Sequence, residues 1–464
     1  MPPAASLLPD RPPFTVRARV LTPLGGGGFA QFDDGVVSVD AGGRISGVGD
    51  AASGPASASA AGAASDAIDL RPWVLMPGMV DLHAHLPQLP NAGLGFALDL
   101  LTWLDRLTFP TERAWADPEL VERLAPAIFR AFAAAGTTTV VGYGVVYVAA
   151  MDAAFRAADA HGIRAILGKV MMDRLTYDET IPPATILGRT LRESAELIGR
   201  WHGHDEGRLG YAVTPRFAVS STADLLRESA ALARSTGAWW QTHVSEDPGE
   251  IAEVRRLFPE ASDYVDVYDR AGGLGARTIL AHAIHLSPRE VTRISDTGTR
   301  IAHCPASNLF IGAGLMPLSA YLRAGIAVGL GSDVSGGPDA SIFSVMRMGA
   351  YTQMARRAME REAGAGSAAA DVPPPPALGP LDWLRLGTLD GARALGIDER
   401  IGSLEAGKEA DMIVVDPAMT APLADSDPVG LDDPDDLASR LIFRAHPGMV
   451  RGAWVRGRQL EGPA

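Results

Sequence analysis

The sequence predicts an α/β protein: a (β/α)8 barrel of the TIM type, carrying a small β-sandwich built from both chain ends. Three observations lead there. Between Trp73 and Asp333, short apolar runs alternate with helix-length segments, the signature of parallel strands joined by helical crossovers. Histidines and acidic residues gather at the ends of those runs, and such a barrel places its chemistry at the C-terminal ends of its strands. Outside this stretch, β-like runs occur near both termini without helical partners. The expected division is a loose tail over 1–13, a β-sandwich from 14–72 plus 400–464, and a metal-dependent barrel over 73–399.

Residues 1–13 are proline-rich, which suits a loose tail. Short β-like runs follow at Phe14–Leu21, Val36–Val39 and Arg44–Val48, and Ala51–Ala67 is Ala/Ser/Gly-rich, as expected of a surface loop. The barrel strands are predicted at Val74–His85, Thr137–Tyr143, Ala165–Asp173, Gly210–Val219, Trp239–Glu246, Thr278–His285, Arg300–Pro305 and Ala327–Asp333. Helices are predicted between them, among them Pro118–Ala135, Ala149–His161, Ala223–Ser235 and Pro248–Leu257. Beyond the barrel, Ala340–Glu362 and Leu381–Leu395 read as helices. The consecutive prolines within Gly364–Pro380 cannot continue a helix, so that segment reads as a loop or lid margin. Gly402–Asp416 turns into a strand and Val450–Leu460 supplies another, both placed to pair with the N-terminal strands.

Composition narrows the function. The 464 residues are 47% hydrophobic and 21% charged, close to an ordinary soluble enzyme. A net charge of -14 without any Lys/Arg-rich run argues against nucleic-acid binding, which needs a basic footprint. No apolar run is long enough to span a bilayer, and the N-terminus lacks the pattern of a signal peptide. The single cysteine, Cys304, excludes an intrachain disulfide and a thiolate-rich zinc site, and suits a reducing, cytoplasmic setting.

The chemistry centres on Met76–Gln88, where His83 and His85 are separated by one residue. On a strand, residues i and i+2 face the same way, so both imidazoles can reach one metal. His243 and Asp333, at later strand ends, bring the set to three imidazoles and a carboxylate. That set suits Zn²⁺ or Fe²⁺ with water in the remaining position, as in a catalytic site. Glu246 follows His243 closely enough to reach the same water as a general acid/base, although a surface glutamate is the plainer reading. His282 either steers that water or is an ordinary satisfied histidine; His285 and His303 read as structural or supporting. Arg216 offers a planar donor fork for a carbonyl oxygen or ring nitrogen, or is a salt-bridged structural arginine. Gln88 presents both a donor and an acceptor, and Phe217 either stacks on a flat ring or fills the core. Asp81 reads as a structural strand residue. Two-metal barrels of this kind usually bridge the ions with a carboxylated lysine ending the fourth strand. Here the only barrel lysine, Lys169, falls on the predicted third strand and Arg216 ends the fourth, which favours one metal.

These pieces resemble the amidohydrolase superfamily: Pro77–His85, the later His243, His282 and Asp333, and the Gly-Ser-Leu-Glu-Ala-Gly-Lys-Glu-Ala-Asp stretch. More narrowly the chain resembles the guanine deaminases, through Leu100–Glu112, Gly168–Asp173, Val213–Phe217, Gln-Thr-His-Val-Ser-Glu and Ile-Ala-His-Cys-Pro-Ala-Ser-Asn. The resemblance implies metal ligands His83, His85, His243 and Asp333, with Gln88, Arg216 and Phe217 around a purine. It implies Glu246 as proton shuttle, one zinc per subunit with iron as the other choice, and a homodimer. The expected reaction is hydrolysis of guanine to xanthine and ammonia, with Asp333 and His282 serving the attacking water. Leu89–Ala97, beside Gln88, departs from the expected pattern and leaves a pterin, isoguanine or s-triazine as rival substrates. A catalytically silent scaffold is the non-enzyme rival; it would have lost ligands, whereas every metal-site position here is polar.

Overall fold

The chain opens with β1 (Phe14–Pro23), β2 (Phe29–Val39), β3 (Ile45–Asp50) and β4 (Ile68–Pro77), whose remaining partners come from the other end of the sequence. The structure is a computed structural model and describes residues 8–52, 67–177, 182–364, 377–423 and 431–462. Near the C-terminus, β14 (Met412–Val415), β15 (Val450–Val455) and β16 (Arg458–Gln459) complete one sheet in the order β16-β15-β14-β4-β1-β2-β3. Val16, Val20, Val37, Leu75, Met412 and Trp454 pack as its core. The expected terminal β-unit is therefore present as a single seven-stranded sheet. Residues 8–13 of the expected loose tail are tied to it: Trp454 Nε1 donates to the Pro9 carbonyl at 2.7 Å and Gln459 N to the Asp10 carbonyl at 3.0 Å.

Between these ends lie the parallel strands β5 (Met79–His85), β6 (Thr137–Tyr143), β7 (Arg164–Gly168), β8 (Val170–Met171), β9 (Leu209–Pro215), β10 (Trp239–Val244), β11 (Thr278–His282), β12 (Arg300–His303) and β13 (Val328–Leu330). They run in the order β13-β12-β11-β10-β9-β7-β6-β5, with β8 against β9. The barrel closes just beyond β13, where Asp333 N donates to the His83 carbonyl at 2.7 Å and His85 N to the Val334 carbonyl at 3.0 Å. Closure thus sets Asp333 beside the histidine pair.

Some elements differ from expectation for local reasons. The run expected as one strand over Val74–His85 is two, because Pro77 and Gly78 turn the chain from the terminal sheet into the barrel. A side chain at Gly78 would meet Thr138 Oγ1 at 2.0 Å, so the turn needs glycine. Leu381–Leu395 is likewise two helices, Pro380–Leu386 and Leu389–Ala394, parted at Gly387 and Thr388. Most of the expected Ala51–Ala67 loop and of the Gly364–Pro380 segment lies outside the described residues. Among the described residues, no helix is long and apolar enough to cross a membrane.

Candidate active site

At the C-terminal mouth of the barrel the polar strand ends converge. His83 and His85 end β5, His243 lies on β10, His282 ends β11, and Asp333 follows β13; all are buried. His83 Nε2 is 3.0 Å and His85 Nε2 3.4 Å from Asp333 Oδ1. His85 Nε2 is 3.2 Å from His243 Nε2, and His282 Nε2 is 3.7 Å from Asp333 Oδ2. Ligand atoms of His83, His243, His282 and Asp333 lie within 4.8 Å of one another. His282 therefore shares the centre of this cluster with the histidines expected to bind metal. Ser245, His282, Ala283 and Asp333 have positive φ, from +47° to +70°. Non-glycine residues hold that left-handed conformation only where their surroundings over-determine it, as at functional strand ends.

Hydrogen bonds fix which face each ring shows the centre. His243 Nδ1 lies 2.7 Å from the Arg216 carbonyl, and His282 Nδ1 lies 2.9 Å from Asn308 Oδ1. Both partners only accept, so each Nδ1 carries the ring proton and each Nε2 turns a bare lone pair inward. Burial drives His282 down to about 4 and His243 well below the usual histidine range, so both rings are neutral. His282 Nε2 is buried without a hydrogen-bonding partner, and His83 Nε2 faces only Asp333. Inward lone pairs beside a carboxylate, in a water-poor centre, form a donor set that fits a divalent metal ion. Tyr143 braces it, its ring 4.8 Å from those of His83 and His243 and 4.7 Å from that of His85.

Two acidic groups share this centre in opposite states. Burial would raise Asp333, but His83, His282 and His85 outweigh it and hold the carboxyl far below its ordinary range. Glu246 is pushed well above its own range by burial, then by the negative charges of Asp333, Glu250 and Asp247. Glu246 Oε2 lies 3.5 Å from His282 Nε2. A charged carboxylate and a neutral carboxylic acid side by side are the makings of a base and an acid.

The wall opposite carries the expected ring-binding groups and one that sequence reasoning passed over. Arg216 Nη1 donates to both oxygens of Glu112, at 2.9 Å and 2.7 Å, and Gln88 Nε2 donates to Glu112 Oε1 at 2.7 Å. Glu112 has 0% exposure and orients both side chains. It was visible only as the last residue of the Leu100–Glu112 stretch, with no strand periodicity to place it. Asn308 was hidden in the same way within the Cys-Pro-Ala-Ser-Asn run. Asp81 is structural, as expected: its Oδ1 accepts from His83 N at 3.1 Å and Ser332 N at 3.0 Å. His285 lies off the cluster, its Nε2 against the Ala313 carbonyl at 2.8 Å, while His303 is buried with neither ring nitrogen partnered.

Arg216, Phe217, Glu246, Leu100, Trp103 and Leu104 wall the pocket over the histidines and Asp333. Its void is about 20 Å³. Gln88 does not line this pocket; it is joined to Arg216 through Glu112, with its Oε1 buried and unpartnered.

A parallel barrel with an inward histidine-carboxylate centre defines a hydrolase of the metal-assisted kind, and the chain belongs to the Amidohydrolase family, whose profile matches residues 74–460. Its relatives are more particular. The chain is 37% identical to a probable guanine deaminase of Deinococcus radiodurans, over 85% of each chain. It is 35% identical to the guanine deaminase of Escherichia coli, over 76% of this chain and 75% of that one. A guanine deaminase of C. acetobutylicum, solved with guanine in its active site, superposes with a TM-score of 0.84 at 27% identity, covering 96% of this chain and 99% of that one.

Proposed function

We propose that this chain hydrolyses guanine to xanthine and ammonia at the barrel mouth. The observation that carries the reading is the placing of Asp333 and Glu246 on the same nitrogen of His282, at 3.7 Å and 3.5 Å, beside an Arg216–Glu112–Gln88 group that suits an amide-edged ring. The guanine deaminase relatives support the same substrate. His83, His85, His243 and Asp333 would hold one Zn²⁺ per subunit, Fe²⁺ being the other ion this donor set suits. When bound, the ion supplies Lewis-acid chemistry that lowers the pKa of water and makes hydroxide available near neutral pH.

The protein's own groups do the rest. Asp333 accepts the proton of the attacking water as its oxygen bonds to C2, the amine-bearing ring carbon. Glu246, held as the acid, protonates the adjacent ring nitrogen and so quenches the negative charge developing there. His282, with its lone pair fixed inward by Asn308, orients the nucleophile. Asp333 then passes the proton it took to the amine, the C2–N bond breaks with loss of ammonia, and the C2 hydroxyl gives its proton back to Glu246 as it becomes the second carbonyl of xanthine. Arg216 donates to the ring carbonyl, the free Oε1 of Gln88 accepts from a ring N–H, and Phe217 lies against the ring face. The buried single cysteine suits a cytoplasmic role in purine catabolism. A homodimer is what the likeness to the guanine deaminases suggests.

The test offers purified, metal-loaded protein guanine beside isoguanine, adenine, cytosine, a pterin and an aminotriazine. Ammonia release confined to guanine is expected. Release from another ring alone would keep the chemistry and reject the substrate.

A further inference from the structure

Glu250 is the third residue of the helix Pro248–Leu257, where a glutamate commonly closes a capping box by accepting from the N-cap amide. It does accept from Asp247 N, at 3.3 Å, but its shorter contact is one residue further out, to Glu246 N at 2.9 Å. Its other oxygen takes the Tyr264 hydroxyl at 2.6 Å. A surface cap needs none of this, yet Glu250 has 0% exposure. Beside it, the Tyr268 hydroxyl donates to the His243 carbonyl at 2.7 Å and accepts from Ala218 N at 3.1 Å, next to Phe217. Just upstream, Ser245 sits at φ +47° with its carbonyl accepting from the amides of Ile284 and His285. The turn that presents Glu246 is therefore pinned on one side by the segment that follows β11, through Ile284 and His285, and on the other by one buried carboxyl.

We infer that Glu250, held by Tyr264, is a positioning residue for the reaction: it fixes the backbone of Glu246 and so the place from which that acid delivers its proton. The inference rests on the role given to Glu246 above. Glu250 touches neither substrate nor reacting atoms. Glu250 also lends Glu246 a neighbouring negative charge, which Glu250→Ala and Glu250→Gln remove alike, so the difference between those two variants reads the aim of Glu246 by itself.

Glu250→Ala removes the acceptor for both amides. Glu250→Gln keeps an oxygen for them and lets its amide donate to the Tyr264 hydroxyl oxygen, so it serves as the rescue. For guanine, Glu250→Ala is expected to lower kcat by at least about tenfold with KM within about twofold and metal content unchanged, while Glu250→Gln returns to within about threefold of the parent. Amide exchange in the peptide spanning 244–250 should quicken in Glu250→Ala and not in Glu250→Gln. Where Glu250→Ala does not accumulate folded, Tyr264→Phe carries the test, with a smaller fall in kcat at constant KM. An unchanged kcat in the variant tested, a loss of metal in step with activity, or a Glu250→Gln as impaired as Glu250→Ala would each overturn the inference. A parent protein inactive on guanine would instead remove the proposed function, and amide exchange over 244–250 would still report whether Glu250 holds the turn.

Discussion

Asp333 and Glu246 lie within 4 Å of the same nitrogen of His282, at 3.7 Å and 3.5 Å, and their surroundings separate them. The first is held below the ordinary carboxyl range, while burial and neighbouring carboxylates push the second above it. Glu112, buried and distant from Arg216 in sequence, accepts from Arg216 Nη1 with both its oxygens. Removing one partner of a buried pair leaves an uncompensated charge, so Glu112→Ala should destabilise the protein by about 3–5 kcal/mol. Denaturant titration checks the stability, and a raised KM for guanine in the folded fraction checks the aim of Arg216. Sequence alone could find the residues that end strands, since a period of two and a barrel's polarity say where they point: His83, His85, His243, His282 and Asp333 all converge as that reasoning requires. Glu112 obeys no such rule. It lies on a short helix, and only the fold brings it to Arg216, 104 residues away.

The element that lines the pocket from outside the barrel strands is the segment from Leu100 to Thr108. Leu100, Trp103 and Leu104 roof a void of about 20 Å³, and directly after Trp103 the chain takes a wide π-helical turn over Leu104–Thr108. Such turns interrupt regular hydrogen bonding and recur at functional sites. The edge of Trp103 rests on Gly95, where an added side chain would meet the indole at 2.7 Å and where φ is +82°. The Leu89–Ala97 stretch, unusual in sequence, thus touches the site through Trp103. A heterocycle bound over the histidines packs against these side chains, so hydrogen exchange over 100–108 should slow when guanine or xanthine is added to the metal-loaded protein. Unaltered exchange under saturating ligand would show that the ring enters elsewhere. Periodicity could locate the strands beneath, but not this roof, because its side chains are placed by packing against a loop.

Across the whole molecule, the barrel and the terminal sheet are joined by charge. Arg164 of β7 donates to Asp411 at 2.9 Å and Glu409 at 2.5 Å, and Arg400 and Arg456 reach Glu409 at 2.8 Å and 2.9 Å. The Gly-Lys-Glu-Ala-Asp run ahead of β14 is this seam, a role its spacing could not disclose because Arg164 lies 245 residues before Glu409. Burial would raise Glu409, but Arg164, Arg456 and Arg400 prevail and hold it at about 2 against an ordinary 4.5. A depressed carboxyl adds stability that is fully present above its unfolded pKa and lost as pH falls through its folded one. Unfolding free energy should therefore fall more steeply in the parent than in Glu409→Gln between pH 4.5 and about 2, a difference that equal slopes would refute.

The most direct test of the whole account is to follow guanine, xanthine and ammonia together, with the parent protein and Glu246→Gln at equal metal content. The parent should convert guanine to xanthine and ammonia one for one, and Glu246→Gln should keep its metal while losing turnover by about 10²-fold or more, in line with general acid–base catalysis. A Glu246→Gln protein as active as its parent, or a metal-replete parent that leaves guanine intact, would contradict it.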